Sequence, residues 1–217
     1  MPIEHHLKIE RSARYYTLGE AVREPAEIWI VCHGYGQLAG RFLTKLAVLD
    51  DGRRRIVAPE GLSRFYVEGA GGPDSKVGAS WMTREDRLRE IEDYVAYLDA
   101  VYEEVSGGLR SAPRLHALGF SQGAATAARW ALRGRAKVSR LILWAGLLPP
   151  DAEWRADAAK LNALDLTLVA GETDDWVGAG LPIAEGALEA AGVRYRLITF
   201  KGGHSLDAAV LRSLAEA

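Results

Sequence analysis

Along this chain, short apolar runs alternate with longer stretches in which apolar residues recur at helical spacing. Arg114–Phe120 and residues 28–32, 55–58, 140–145, 166–170 and 194–200 have the length and composition of buried strands. Between them, residues 39–49, 122–134, 183–191 and 206–214 repeat apolar positions every three or four residues. The strongest helical signal is Leu88, Ile91, Tyr94, Val95, Leu98, Val101, Tyr102 and Val105, with acidic residues interleaved. Thr83-x-x-Asp86 offers that helix a capping box, and Gly107-Gly108 stops it. Residues 149–163 form a proline-opened region before the strand at 166–170. At the start, residues 5–10 and 13–18 alternate like the two strands of a hairpin. Strands separated by helices predict an α/β architecture, a mostly parallel central sheet with helices on both faces. The opening hairpin adds an antiparallel edge. Residues 59–82 lack either period and predict one long loop. With no repeat, low-complexity tract or linker, residues 1–217 read as a single domain without a large cap domain.

Composition narrows the function classes. Apolar residues make up 48% and charged residues 26% of the 217, as in an ordinary globular protein with a sizeable core. Lys plus Arg (27) nearly balances Asp plus Glu (29), so neither nucleic acid nor an anionic membrane surface is an expected partner. The run Arg53-Arg54-Arg55 reads as the solvated start of a strand. No apolar stretch is long enough to span a membrane, and the charged N-terminus does not resemble a signal peptide. One cysteine, Cys32, inside an apolar run, fits a buried thiol in a reducing compartment, so the expected location is cytoplasmic. The scattered histidines suggest no metal site, and no cofactor is expected.

Gly119-Phe120-Ser121-Gln122-Gly123 reads G-x-S-x-G where a strand ends and an alanine-rich helix begins. A serine on such a turn is held clear of its own backbone, with its hydroxyl presented outward. In a parallel sheet the functional loops gather at the carboxyl ends of the strands. After the strand at 166–170 comes Gly171-Glu172-Thr173-Asp174-Asp175-Trp176-Val177, and after that at 194–200 comes Lys201-Gly202-Gly203-His204. A serine, an acid and a histidine thus follow three successive strand ends. A hydroxyl near neutral pH needs an imidazole to take its proton, and a carboxylate on the far ring nitrogen fixes tautomer and orientation. Ser121 is the candidate nucleophile and His204 the base, while Asp174 and Asp175 compete as the acid. An oxyanion hole requires two N–H donors: Gln122, just after the nucleophile, and Tyr35 in the glycine-rich loop His33-Gly34-Tyr35-Gly36-Gln37.

The same loop supports a rival. Gly34-x-Gly36-x-x-Ala39 lies between a strand and a helix, and Glu60 follows at about the spacing of a ribose-binding acid. That pattern would suit a dinucleotide-binding oxidoreductase, but it leaves the serine, acid and histidine unexplained. A serine peptidase or amidase with the same three residues is a second alternative.

With these motifs assembled, the chain resembles the α/β-hydrolase superfamily, most closely the small carboxylesterase and acyl-protein thioesterase group. The resemblance rests on H-G-x-G at His33 to Gly36, G-F-S-Q-G at Gly119 to Gly123, Ser80-Trp81, G-x-x-D-x-x-V at Gly171 to Val177, and G-x-H ending at His204. It departs at Ala170, where the group often has a histidine. It implies an α/β-hydrolase fold and the acid at Asp174. It also implies hydrolysis of esters, and of thioesters, through an acyl-enzyme, and without an inserted cap domain the expected acyl chains are short to medium. A small-molecule ester would be the partner, and a homodimer is compatible with the reading. Phe65, Tyr66, Trp81, Leu147 and Trp176 are the candidate substrate-binding residues, since they follow strands ending at the same edge.

Overall fold

The computed structural model describes residues 1–19, 22–68, 71–72 and 74–216. In chain order the strands are β1 (Tyr15–Leu18), β2 (Glu27–Cys32), β3 (Arg54–Pro59), β4 (Ser63–Tyr66), β5 (Val77–Ser80), β6 (Arg114–Phe120), β7 (Arg140–Trp144), β8 (Asp165–Gly171) and β9 (Arg196–Phe200). The helices are α1 (Ala39–Thr44), α2 (Arg87–Ser106), α3 (Gln122–Arg133), α4 (Trp154–Asn162), α5 (Asp175–Gly178), α6 (Leu181–Ala190) and α7 (Ala208–Glu216). Seven strands form one sheet in the order β1-β3-β2-β6-β7-β8-β9. All neighbours are parallel except β1, which runs antiparallel to β3 with Tyr15 opposite Pro59 and Leu18 opposite Ile56.

Both faces of the sheet are buried, which explains the continuous apolar strands. Along β2, Ile28, Ile30 and Cys32 pack with Tyr94 and Leu98 of α2, Trp130 of α3, Leu161 of α4 and Leu188 of α6. The alternate residues Trp29 and Val31 face the other way, with Phe42 of α1 and Leu211 and Leu214 of α7. The period of two along each strand therefore sorts its side chains between two helical layers.

Three expectations are corrected. The N-terminal hairpin does not form: residues 1–14 hold no strand, and β1 finds its antiparallel partner in β3, about forty residues on. The apolar side chains of the first segment, Ile3, Leu7 and Ile9, meet no buried face. Instead His6 Nε2 lies 2.9 Å from Asp86 Oδ2, and the Arg14 guanidinium reaches Glu60 at 2.7 Å. The long loop at 59–82 contains a two-stranded antiparallel ribbon, β4–β5. Finally, α2 starts at Arg87 with Asp86 as N-cap in the left-handed region (φ 45°), and the Asp86 side chain does not cap it. Thr83 N–H donates instead to Glu90 Oε2 at 2.6 Å, so the expected box is replaced by a longer-range contact.

At the opposite end of the sheet from the candidate site, His116 lies 3% exposed on β6 against Trp29, with ring centroids 4.9 Å apart. Burial pushes its pKa down to about 4. Unfolded, the same imidazole takes a proton below the ordinary value of about 6.5. The native state refuses that proton until about pH 4, so stability is complete above 6.5 and falls as pH drops through this window. The loss from this residue is expected to approach about 3 kcal/mol. Urea unfolding at several pH values between 7 and 4 measures it, and His116→Phe should flatten the curve. A stability that holds constant over this range would contradict the assignment.

Candidate active site

The carboxyl ends of β2, β6, β8 and β9 bring the candidate residues to one edge of the sheet. Ser121 joins β6 to α3 with φ 56° and ψ −117°, a region that costs a non-glycine residue about 1–3 kcal/mol. The turn is over-determined. Ser121 N–H donates to the Trp144 carbonyl at 2.8 Å. A Cβ on Gly119 would collide with the Gly123 carbonyl, and one on Gly123 with the Cys32 carbonyl. Both glycines of the motif are therefore required by close backbone approach.

Ser121 Oγ lies 2.9 Å from His204 Nε2, and His204 Nδ1 lies 2.9 Å from Asp174 Oδ2 and 3.1 Å from Oδ1. With a carboxylate facing Nδ1, the proton belongs on that nitrogen, which leaves Nε2 to accept from the serine. The Asp174 side chain is fully buried, whereas that of His204 keeps 29% exposure. Asp174 also caps α5, accepting from Trp176 N–H at 3.1 Å. Asp175 is exposed in the first turn of α5, so the two neighbouring aspartates occupy different environments.

The loop after β2 passes next to this arrangement. A Cβ built on Gly34 lies 3.3 Å from Ser121 Cβ. Among the described residues, the N–H groups of Tyr35 and Gln122 donate to no protein acceptor. The loop is braced from three sides. Gly36 N–H donates to the Ala79 carbonyl at 2.9 Å, and Ala79 N–H returns a bond to the Gln37 carbonyl at 3.1 Å. Gln37 Oε1 accepts from Gly34 N–H at 2.9 Å. His33, fully buried, accepts at Nε2 from Gly61 N–H at 2.9 Å, so Nδ1 carries the proton and donates to the Gly34 carbonyl at 2.8 Å. Burial holds the His33 pKa below its ordinary value, in keeping with this neutral tautomer.

Gln122 ties the elbow to the ribbon. Its Oε1 accepts from Trp81 N–H at 3.1 Å, and its Nε2 donates to the Met82 carbonyl at 2.8 Å. Trp81, expected to contact substrate, is instead 2% exposed and packed on His33 and Tyr94. Its indole N–H donates to the His33 carbonyl at 2.8 Å, so its burial serves the loop. Tyr66 is also displaced: successive residues of β4 face opposite ways, and Tyr66 sits over Gly71 while Phe65 lies 5.1 Å from the Tyr35 ring. Leu147 is half-buried beside Gly180. Trp176, 84% exposed, lies 6.1 Å from the His204 ring. Trp176 thus lies beside His204, Phe65 beside Tyr35 and Leu147 beside Gly180, whereas Trp81 is buried beneath the loop and Tyr66 turns to Gly71. Phe120, unmarked by the sequence as more than core, lies 5.0 Å from His204 with the ring planes tilted by 52°.

The dinucleotide reading fails on Glu60. Its side chain is 1% exposed and occupied by Arg14 at 2.7 Å, Arg64 at 3.3 Å and the Ala39 N–H at 3.2 Å, which leaves no carboxylate for a ribose.

Residues 18–217 match the model of the phospholipase/carboxylesterase family, and the chain belongs to that family. It is accordingly an ester-hydrolysing enzyme of the α/β-hydrolase fold. Among solved structures it is similar to a carboxylesterase from Mesorhizobium loti, at 22% identity and TM-score 0.71, covering 94% of each chain. Esterase PE8 is 24% identical with TM-score 0.68, covering 95% of this chain and 97% of that one. Acyl-protein thioesterase 2 of Zea mays is 18% identical with TM-score 0.69, covering 94% and 97% respectively. No curated protein sequence matches the chain significantly. Among the described residues, no helix is long and apolar enough to cross a membrane.

Proposed function

We propose that the chain is one catalytic domain that hydrolyses small carboxylic esters, and thioesters, by covalent catalysis at Ser121. The observation that carries this reading is the hydrogen-bonded series Ser121 Oγ, His204 Nε2, His204 Nδ1 and Asp174 at the end of a strained elbow. Ser121 Oγ attacks the ester carbonyl carbon as its proton passes to His204 Nε2. Asp174 stabilises the resulting imidazolium. The tetrahedral oxyanion accepts from the N–H groups of Tyr35 and Gln122, held ready by the ribbon contacts. His204 then protonates the departing alkoxide or thiolate, and an acyl group remains on Ser121. A water molecule, deprotonated by the same imidazole, releases the acid and restores the serine.

Trp176, exposed beside His204, and Phe65, against the Tyr35 ring, give the site apolar borders that suit short to medium acyl groups. The peptidase or amidase alternative lacks a comparable observation. The enzyme works in the cytoplasm as a monomer or homodimer, with Cys32 buried and its thiol pKa pushed up by burial. A fluorophosphonate probe tests the reading. One equivalent should attach per chain, on the peptide containing Ser121. Labelling elsewhere, or none by a folded protein, would refute it.

A further inference from the structure

A groove of about 240 Å³ opens beside the loop that carries Tyr35. Gly36 and Gln37, from the loop whose Gly34 passes Ser121, form one end of it. Gln37 Oε1 holds Gly34 N–H at 2.9 Å, and Gly34 packs directly against the serine. The floor is Phe42, 1% exposed, and Leu38 and Val77 also line the groove. Arg41 and Lys45 complete the lining, one helical turn apart along α1 and its C-cap.

These two cations differ in their partners from the arginines beside them. Arg14 and Arg64, nearby in the same part of the fold, are both neutralised on Glu60. Arg41 and Lys45 are exposed, and among the described residues neither has a carboxylate oxygen within 4.0 Å. Like charges at this spacing repel one another on a helix, and among the described residues no carboxylate offsets them. Across the site, the loops after β8 and β9 expose Glu172 and Asp175 beside Lys201, a set that offers an anion no matching pair of cations. An apolar trough with two unpaired cations suits an apolar stem that ends in an anion.

We propose that this groove is an acyl-end subsite for a carboxylate, so that the preferred substrates are half-esters of short dicarboxylic acids such as succinate and glutarate. The inference rests on the esterase reading above. With the acyl carbon at Ser121 Oγ and its oxygen at Tyr35 N–H, the acyl chain runs past Gly36 and Gln37 into the groove. Its free carboxylate then lies between the Arg41 guanidinium and the Lys45 ammonium.

The test compares kcat/KM for p-nitrophenyl hemiglutarate and p-nitrophenyl hexanoate, which share a leaving group and differ in the charge at the acyl end. Wild-type enzyme and an Arg41→Gln/Lys45→Gln variant are measured at low and high ionic strength. Wild type is expected to favour the hemiglutarate by about tenfold. The variant should lose that preference with the hexanoate rate within about twofold of wild type, and high salt should erode the preference in wild type. An equal ratio of the two esters in wild type and variant overturns the subsite while leaving the esterase intact. If neither ester is turned over, the esterase reading itself fails. Calorimetry with free glutarate then decides the groove: weaker binding by the variant supports it, and equal or absent binding overturns it.

Discussion

Ser121→Ala is expected to lower p-nitrophenyl butyrate hydrolysis by about 10⁴-fold or more, to the level that the oxyanion donors and binding alone provide. Only Oγ is removed. The bond from Ser121 N–H to the Trp144 carbonyl and the close approach of Gly119 to Gly123 are backbone features that alanine retains. The variant should therefore keep its circular dichroism spectrum and its urea midpoint, which separates lost chemistry from lost fold. The effect is large because the groups act as a unit. Without the hydroxyl, His204 has no proton to take, and Asp174 orients an idle base. Steady-state rates with enzyme purified free of host esterases are the measurement. Turnover within tenfold of wild type would move the nucleophile away from Ser121.

The second large effect concerns two adjacent residues. Asp174→Asn is expected to reduce kcat by about 10⁴-fold, whereas Asp175→Asn should stay within a few-fold of wild type. Asp174 is buried and bonded to His204 Nδ1 at 2.9 Å, while Asp175 is exposed on α5. An asparagine oxygen can still accept from Trp176 N–H and cap α5, so folding is preserved. Its amide group, however, can donate to Nδ1 and stabilise the tautomer that puts the proton on Nε2, where the base must be free. It also removes the negative charge opposite the imidazolium. Kinetics of the two variants under identical conditions check this directly. A larger loss in Asp175→Asn would transfer the role by one position.

The apolar runs that became β2, β3 and β6 to β9 were readable because a parallel strand buried on both faces needs apolar residues throughout. The start of the chain was misleading for a related reason. Residues 5–10 alternate like a strand, but alternation alone does not supply a partner, and the edge beside β1 is filled from β3. The ribbon was illegible because each of its strands is only 4 residues long. What stabilises β5, besides β4, is a pair of hydrogen bonds to Gly36 and Gln37, about forty residues away. Trp81 was misplaced on similar grounds. An aromatic residue after a long loop suits a cleft or a core equally well, and only the packing on His33 and Tyr94 distinguishes them.

By itself, the sequence determined the buried parallel strands β2, β3 and β6 to β9, the elbow at Ser121 and the presence of an acid and a histidine after later strands. These are local properties, set by periodicity, by glycines that admit close backbone approach and by the rule that loops gather at strand ends. The tertiary structure alone decided how Asp174, the acid implied by the resemblance, reaches His204 and how the Tyr35 loop is braced. Each of those depends on groups far apart in the chain meeting within 3 Å or so, a distance that hydrogen bonds demand and sequence spacing does not encode.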